Sequence, residues 1–421
     1  MTLGVLVYPH DLGIGGSQLN AIEIAAALQR RGHRVVVFGT PGALSKRIAD
    51  LGLEFVAAPP PGRRPSPRVA RALADLVVER GIDVLHGYEW PPGLECVLAS
   101  RMQPSAVAVC TVMSMAVAPF LPKSLPLTVG TEAIATIERA FGRSSVSLLE
   151  PPVDLTQNHP GVVPAGVFGA GSDARFTVGM VTRFAHQLKL EGILTAIDTV
   201  GSLARHSAIR LVIAGDGPAR AEVAARAAHV NTQVGAGTVL LLGEVVDPRP
   251  VYESADVMLG MGGSALKGLA FAKPLVVQGE GGYWKLLTPA TLPEFLWAGW
   301  FGVGESAAAG PARLESILRR LVADPGLRAD IGAFGLATVR ERFSVEAAAD
   351  TQLAIYRTAL ELRVPRGQTV RHDAAALARY ARYYAHKRVR RMLGTEQTDD
   401  FNARRAAARP GRLQAQTGVR S

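Results

Sequence analysis

The first part of the chain alternates short apolar runs with longer stretches in which apolar residues recur at helical spacing. Residues 3–8 form a continuous apolar run, which predicts a buried strand, and the glycine-rich turn 13–17 leads into an amphipathic stretch that ends at Gly32. A further helix is predicted over 67–80. Further strands are predicted over 35–38, 84–86, 106–112, 127–130 and 146–149. Strands that alternate with helices are typical of a parallel sheet with right-handed crossovers.

The alternation stops at residues 155–175 and then starts again. This stretch is rich in Gly, Pro and Ala and has no periodicity, so we interpret it as a linker between two domains. After it, strands are predicted over 176–181, 210–214, 238–242, 257–259 and 275–278. Helices are predicted over 190–206, 218–229, 248–254, 264–272, 311–323, 326–342 and 345–362. The predicted fold class is α/β, with two Rossmann-like, doubly wound parallel-sheet domains that face a cleft.

These patterns predict four regions. We expect the first domain to cover 1–160 and the second to cover 161–345. A closing helix, 346–362, is expected to pack back toward the first domain, and 363–421 forms a basic tail. A chain of 421 residues is too long for one ordinary hydrophobic core and fits two domains plus a tail. Its 48% of hydrophobic residues is typical of a globular protein.

Composition narrows the class of protein further. The N-terminus has no basic region ahead of an apolar one, and no run of 18 uncharged apolar residues occurs, so we expect neither a signal peptide nor a membrane-spanning helix. Cys96 and Cys110 are the only cysteines and lack CxxC spacing, which indicates a reducing compartment and predicts neither a disulfide nor a metal site. The expected location is therefore the cytoplasm.

The positive charge lies in the tail. Of the 46 basic and 36 acidic residues, 14 and 4 lie in 363–421, which leaves 32 of each sign in the rest of the chain. A helix predicted over 373–393 interleaves arginines with Tyr380, Tyr383 and Tyr384. A basic helix with aromatics fits peripheral contact with the inner, anionic face of a membrane. The low aliphatic content favours instead a solvated helix packed on the protein body or on a partner subunit. Residues 395–421 are interpreted as disordered, and no nucleic-acid partner is expected.

Residues suited to binding an anion follow two of the predicted strands in the second domain. Arg183 and Lys189 come after strand 176–181, at the edge where doubly wound sheets bind ligands, and the alternative is that both are solvated loop cations. Gly262, Gly263 and Ser264 open a helix after strand 257–259, and free N–H groups at a helix start favour an anion. Ser264 is also interpreted as a plain N-cap, and the two roles are compatible.

Six segments in this order resemble the GT-B fold retaining glycosyltransferases of the family 4 type, over residues 1 to about 360. They are Gly15-Gly16 with RRGHRV, Pro151-Pro152-Val153-Asp154, the strand end Gly179 to Arg183 with Lys189, LVIAGDGP at 211–218, Gly243-Glu-Val with Tyr252 and Ser254 to Val257, and Ala270 to Pro274. The resemblance implies an acceptor-side first domain and a nucleotide-sugar-binding second domain. It also implies retaining transfer that needs no metal and no cofactor beyond the nucleotide-sugar substrate.

The resemblance also implies roles for single residues. Arg183 and Lys189 would hold the donor diphosphate and stabilise its charge as it leaves, which makes them candidate catalytic residues. The candidate donor-binding set is Gly15, Gly16, Gly179, Gly215, Gly243, Gly262, Gly263, Ser264, Lys267 and Glu280.

The chain departs from the family at two glutamate positions. Leu259 and Lys267 stand where the family usually has two glutamates, the second of which accepts hydrogen bonds from the nucleotide ribose. Lys267 cannot accept a hydrogen bond, but it could add a third cation beside a diphosphate. Glu280 and Glu294, in nearby loops, are candidates to compensate, and each also fits a surface loop charge.

A second departure concerns the first domain. The family often carries a histidine where this chain has Met113. His10 and His86 are the alternative candidates, since each lies at the carboxyl end of a predicted strand. His86 belongs to the segment His86-Gly-Tyr-Glu89-Trp90, which groups an acid, a base and aromatics suited to a sugar. We take His86 as the candidate base, although either histidine equally fits a structural hydrogen-bonding role.

The predicted function is transfer of a sugar from a nucleotide-sugar donor to a small-molecule, glycan or lipid-linked acceptor. Two alternatives stay open, and Leu259, Lys267 and Met113 motivate the first of them. One is a catalytically degenerate GT-B protein that binds a nucleotide or a partner. The other is a pseudo-glycosyltransferase with an unusual donor.

Overall fold

The computed structural model describes residues 2–163, 175–362 and 366–395. The strands are β1 (Gly4–Tyr8), β2 (Arg34–Gly39), β3 (Glu54–Ala57), β4 (Val84–Tyr88), β5 (Val107–Val112), β6 (Leu127–Val129), β7 (Val146–Leu148), β8 (Phe176–Val181), β9 (Ile209–Ala214), β10 (Val239–Leu241), β11 (Val257–Gly260), β12 (Leu275–Gln278) and β13 (Trp284–Leu286).

The helices connect these strands and close the chain. They are α1 (Gly16–Arg30), α2 (Ser45–Asp50), α3 (Pro67–Arg80), α4 (Trp90–Met102), α5 (Glu132–Ala140), α6 (Leu190–Ala204), α7 (Arg220–Val234), α8 (Arg249–Ser254), α9 (Gly262–Ala270), α10 (Leu292–Ala298), α11 (Gly310–Ala323), α12 (Pro325–Arg342), α13 (Val345–Glu361) and α14 (Arg366–Met392). A short 3-10 turn, Ala307–Ala309, precedes α11.

The chain divides into two compact units. One comprises Met1–Pro151 together with the chain from Val345 onward, and the other comprises Pro152–Ser344. The predicted boundary after residue 160 lies later in the chain than this division, because the Val153 N–H already donates to the Phe343 carbonyl of the second unit at 2.7 Å. Residues 155–163 of the predicted linker belong to the second unit, and 164–174 lie outside the described residues.

The first unit is built on a seven-stranded parallel sheet. Its strand order is β3-β2-β1-β4-β5-β6-β7. Helix α13 packs on α1, with Leu353 and Tyr356 buried in the same core as Ile22. Arg31 on α1 adds ion pairs with Glu346 and Asp350 of α13. The predicted closing helix therefore lies within the first unit.

The second unit repeats this plan. Its six-stranded sheet has the order β10-β9-β8-β11-β12-β13, in which only β13 is antiparallel to its neighbour. In each sheet the strand order changes direction between two neighbouring strands. These are β1 and β4 in the first sheet and β8 and β11 in the second. Such reversal points are where doubly wound sheets bind ligands, at the carboxyl ends of the strands. The predicted α/β class with two parallel-sheet domains is confirmed.

Several elements were not predicted from the sequence: α2, β3, α4, α5, β13 and α10. The clearest case is α4, which begins at Trp90 and has Pro91 and Pro92 in its first turn. Prolines usually act as helix breakers, yet the first turn tolerates them because its N–H groups have no partner inside the helix. In the described ranges, no helix is both long and apolar enough to cross a lipid bilayer.

Candidate functional site

Two cations lie in the loop that joins β8 to α6. Arg183 follows the strand and is exposed, and Lys189 occupies the N-cap position of α6 and is partly buried. Within the described residues, neither side chain forms a hydrogen bond or an ion pair. The carboxyl edge of this sheet therefore carries two positive charges that no neighbouring carboxylate neutralises.

Lys189 is the more perturbed of the two. Burial disfavours its charged form and lowers the pKa of its amine to about 8. A partly buried ammonium without a partner is unfavourable, so a bound anion would relieve a cost that the free protein carries. A lysine whose pKa is lowered by burial, at the edge where doubly wound sheets bind ligands, is a candidate for binding an anion.

Glu280 is held beside the same loop. Its Oε1 accepts the backbone N–H of Leu188 at 3.2 Å, and Leu188 has a left-handed φ of 63° immediately before Lys189. Glu191 at the start of α6 accepts the N–H groups of Gly281 and Gly282 at 3.1 and 2.6 Å. The loop after β12 is thus tied to the start of α6 by two carboxylates.

Glu294, the other candidate to compensate for the missing glutamates, has structural partners. Its carboxylate accepts the Tyr283 hydroxyl and the Lys285 ammonium, each at 2.7 Å. Both partners are close to it in sequence, and they fix the segment that follows β12. Glu280 is therefore the better placed of the two candidates.

The turn after β11 starts α9 two residues earlier than predicted. The helix begins at Gly262, which has φ 55° and donates its N–H to the Trp300 carbonyl at 3.1 Å, and Met261 is the N-cap residue. The Ser264 hydroxyl donates to the Met261 carbonyl at 3.0 Å, so the prediction of Ser264 as the N-cap is wrong. Gly263 is exposed, and the space that a Cβ would take there is empty, which leaves room for a ligand to approach the backbone.

The two positions that replace the family's glutamates differ in environment. Leu259 is fully buried within β11, so it belongs to the core and offers nothing to a ligand. Lys267 is partly buried on α9 and has no hydrogen bond or ion pair in the part of the chain that the structure describes. Hydrogen bonds from Arg249 hold the pKa of Asp247 below its usual range, and the charge of Lys267 adds to this effect. Lys267 therefore lies near an acidic residue without being bound to it.

Two of the predicted donor-binding glycines, Gly215 and Gly179, have packing roles. A Cβ on Gly215, which has φ 149°, would lie 1.8 Å from the Thr182 carbonyl oxygen, and the Gly215 N–H donates to the Gly243 carbonyl at 2.7 Å. Gly179 lies inside β8, where a Cβ would meet the Met258 sulfur at 2.6 Å. These glycines let the loops after β8, β9 and β10 and the strands beneath them approach closely, so they shape the edge that carries Arg183.

In the first unit, polar groups follow β1 at the corresponding edge. His10 has φ 75°, and its Nδ1 lies 2.8 Å from Asp11 Oδ2. Burial opposes the ionised form of Asp11, but hydrogen bonds from the Gly13 N–H and from His10 outweigh it and lower the pKa of this carboxyl. Gly15 precedes α1 and Gly16 begins it, with open space where a Cβ of Gly16 would lie.

Glu89 joins three loops at this edge. It has a left-handed φ of 67° and precedes α4, and its carboxylate accepts the Met113 N–H at 2.9 Å and the Ser114 hydroxyl at 2.8 Å. The Ser17 hydroxyl in the first turn of α1 lies at 3.5 Å. Burial raises the pKa of Glu89, and these hydrogen bonds oppose the rise. A carboxylate held in a strained backbone conformation at the carboxyl edge of a doubly wound sheet is typical of a functional position.

His86 lies in the interior, away from this edge. It is fully buried on β4, with Nδ1 2.7 Å from the Tyr356 hydroxyl and Nε2 2.7 Å from the Thr111 hydroxyl. Burial lowers its pKa to about 3, so the ring is neutral. Both nitrogens are occupied, so the geometry gives no support to His86 as a catalytic base and fits the alternative of a structural histidine. Sequence position alone could not separate the two, because Tyr356 comes from a distant helix.

Cys96 and Cys110 are both buried and free. Over the described ranges, no three His, Cys, Asp or Glu side chains are grouped so that they could hold a metal ion.

Comparisons with known proteins agree with this organisation. Residues 15–149 match the family model of the glycosyl transferase 4-like domain, and residues 175–289 match that of glycosyl transferases group 1. No curated protein matches the chain.

Solved structures share the fold at low sequence identity. A glycosyltransferase from Rickettsia africae is 16% identical with a TM-score of 0.68, and the match covers 85% of this chain and 99% of that one. The Anabaena protein HepE in complex with UDP is 14% identical with a TM-score of 0.64, covering 85% and 100%. The catalytic domain of starch synthase IV from Arabidopsis thaliana, bound to ADP and acarbose, is 13% identical with a TM-score of 0.63, covering 86% and 100%. The chain therefore belongs to the glycosyltransferases of the GT-B fold, with a family 4-like domain followed by a group 1 domain.

Proposed function

We propose that this glycosyltransferase takes its sugar from a nucleoside-diphosphate sugar bound at the carboxyl edge of the second unit's sheet. The observation that carries the proposal is the pair Arg183 and Lys189, two cations without a partner within the described residues, one of them with a pKa lowered by burial. The structures of similar fold whose ligands are named contain UDP, UDP-glucose or ADP. These nucleotides share the diphosphate that such a pair would bind.

In this proposal the two cations stabilise the diphosphate as it leaves the sugar. Negative charge on the leaving group grows in the transition state, so fixed positive charge lowers the barrier more than it strengthens ground-state binding. The start of α9 at Gly262 and Gly263 adds the positive end of a helix dipole. No metal and no further cofactor are needed for this charge stabilisation, and we propose retaining transfer with the diphosphate and the acceptor hydroxyl on one face of the sugar.

Lys267 suggests a variation in donor recognition. Because an ammonium only donates hydrogen bonds, a ribose at this position would need another acceptor, and Glu280, which is tied to the loop before α6, is the candidate. Lys267 would instead contribute a third positive charge. A donor with additional negative charge would gain most from this arrangement.

The acceptor would bind at the edge of the first unit. Asp11 and Glu89 are hydrogen-bond acceptors for hydroxyl groups, and Ser17 and Ser114 are both donors and acceptors beside Glu89. Such a set suits a hydroxylated acceptor, whether a small molecule, a glycan or the sugar of a lipid-linked carrier. We also place the protein in the cytoplasm, because two buried free cysteines fit a reducing compartment.

Thermal shift against UDP, GDP, dTDP, ADP and their sugars tests the donor site. We expect the nucleotides of one base to raise the melting temperature of the protein. We expect Arg183→Ala and Lys189→Ala each to remove most of that rise. Arg205→Ala is the matched control, because Arg205 is an exposed cation at the opposite end of α6. Nucleotide stabilisation that survives in both site variants, or that is lost in the control, contradicts the assignment.

Product analysis by mass spectrometry then tests the transfer itself. With the selected donor and a sugar acceptor, we expect a product heavier by one sugar residue and release of the nucleoside diphosphate. Binding without any turnover would instead support a degenerate role, for which the absence of a carboxylate at Leu259 and Lys267 is the physical reason.

A further inference from the structure

In the described part of the chain, helix α14 is attached to the first unit through the face that carries its tyrosines. Tyr380 and Tyr383 lie against Phe120, each with ring centroids 5.2 Å apart, and the Tyr380 hydroxyl donates to the Arg64 carbonyl at 2.7 Å. Arg379 donates to the Pro119 carbonyl at 2.7 Å. This inner face fixes the helix on the unit, as the packed-helix interpretation predicts.

The opposite face of α14 is exposed and carries aliphatic side chains. Val370, Leu377, Val389 and Met392 are 66%, 69%, 54% and 75% exposed, and Leu393 directly after the helix is 70% exposed. Between them the exposed residues include four alanines, Ala374, Ala378, Ala381 and Ala385. Steps of three, four and seven residues place these positions on one side of a helix, which we call the outer face. Arg388, seven residues after Ala381, lies on the same side. Large exposed aliphatic residues that share one face are typical of a docking surface.

The charge around the outer face has a single sign. The exposed cations of α14 include Arg371, Arg382, Arg388 and Arg390. Asp373 is the only acidic residue between Arg366 and Met392, and it pairs with Arg101 of α4 at 2.9 Å. The outer face therefore combines aliphatic side chains with arginines, on a helix whose single carboxylate is already paired.

We propose that the outer face of α14 docks the enzyme on an anionic lipid surface. Aliphatic side chains would enter the boundary between headgroups and acyl chains, and the flanking arginines would contact the anionic headgroups. The inner tyrosine face stays on the first unit, so docking holds that unit at the membrane. The inference extends the proposed function, since it favours a lipid-linked acceptor among the three classes considered.

Other occupants fit this surface less well. A nucleic acid would pair with the arginines but would leave Leu377 and Met392 in water, because phosphates and sugars offer no apolar surface to them. A second copy of the chain would place two strongly basic strips against each other, and like charges at an interface oppose association. A lipid surface is complementary to both the apolar and the basic residues.

Vesicle sedimentation with the full chain tests the proposal. We expect binding to phosphatidylcholine vesicles that contain phosphatidylglycerol and little binding to phosphatidylcholine alone. The double variant Leu377→Asp/Met392→Asp should lower the partition coefficient about tenfold or more, because it removes apolar contact and adds charge repulsion. Arg382→Gln should lower it by about fivefold and weaken its dependence on salt.

Val78→Asp is the matched control, since Val78 is an aliphatic residue of α3 in the same unit with 67% exposure. It should bind vesicles like the unaltered chain. The double variant should keep its melting temperature and its nucleotide-induced thermal shift, which separates loss of docking from unfolding. If the nucleotide shift is absent from the unaltered chain while vesicle binding persists, the proposed function fails and the docking surface stands.

Three results would overturn the docking proposal. The first is equal binding to both vesicle types, and the second is equal binding by the double variant. The third is evidence for a different occupant of the outer face. That evidence would be light scattering that shows a dimer for the unaltered chain and a monomer for the double variant, or binding of an oligonucleotide to the outer face without binding of anionic vesicles.

Discussion

At the scale of single residues, Lys189 makes a prediction about pH. Its amine has a pKa of about 8 because of burial, so in the free protein it is charged below that pH and loses its charge as the pH rises through it. A diphosphate binds the charged form, so nucleotide affinity should fall as the pH rises from about 7.5 to about 9.5, with a dissociation constant about tenfold weaker at the upper end. Isothermal titration calorimetry across this range measures the change.

The conservative variant Lys189→Arg separates this effect from other titrating groups. A guanidinium stays charged at all of these pH values, so the variant should bind with nearly constant affinity. The same decline in the variant would assign the pH dependence to another group.

Residue types were easier to predict than residue environments. The strand–loop–helix pattern was enough to locate Arg183 and Lys189 at the end of β8, but whether a carboxylate neutralises them depends on side chains from other loops. His86 illustrates the limit. It too lies at the end of a predicted strand, yet the hydroxyl of Tyr356, 270 positions later, is hydrogen-bonded to one of its ring nitrogens. Spacing along the chain carries no information about such a partner.

At the scale of elements, the loop after β9 depends on Gly215. Its φ of 149° and a Cβ position only 1.8 Å from the Thr182 carbonyl leave no room for a side chain. We expect Gly215→Ala to lower the free energy of unfolding by about 2 kcal/mol or more and to weaken nucleotide binding, because the loop that carries Arg183 has to move. Urea denaturation and thermal shift measure the two effects.

Gly243 provides the comparison. It has φ 71°, and a Cβ added there would have no other atom within 4 Å, so Gly243→Ala should cost only the left-handed backbone conformation, about 1 kcal/mol. Equal losses in the two variants would show that the contact with Thr182 is not what limits Gly215.

Elements bounded by clear signals were predicted closely, and elements with mixed signals were missed. Helix α3 has the predicted bounds 67–80 because Ser66 caps its start and Gly81, with φ 55°, ends it. Helix α4 starts with two prolines, and β3 is a four-residue edge strand, so neither has a periodic apolar pattern long enough to detect. Ser264 was misread as a cap because glycine starts α9 two residues earlier.

At the scale of the whole molecule, the tail helix is part of the first unit's core. Phe120 is 1% exposed because Tyr380 and Tyr383 cover it. A chain truncated after Leu362 should therefore lose about 2 kcal/mol of aromatic packing and about 5 °C in the melting temperature of that unit. Nucleotide stabilisation should persist, because Arg183 and Lys189 lie in the other unit.

Differential scanning calorimetry of the truncated chain, with and without nucleotide, measures both quantities. An unchanged melting temperature would show that the tyrosine contacts add nothing to stability, and a lost nucleotide effect would show that the tail supports the donor site.

The two-domain plan could be predicted from the alternation of strands and helices along the sequence. The attachment of α14 could not, because it depends on aromatic contacts with a loop more than 250 positions earlier in the chain.

The order in which the chain is made has a consequence for the first unit. That unit is interrupted: it stops at Pro151 and resumes at Val345. At a synthesis rate of about 5–20 residues per second, roughly ten to forty seconds separate the two parts on the ribosome. During that interval the second unit can fold completely, while the apolar face of α1 that α13 will cover, including Ile22, is still open to water. The first domain to be started is thus the last to be finished, and the nascent chain is most prone to aggregation through that uncovered face.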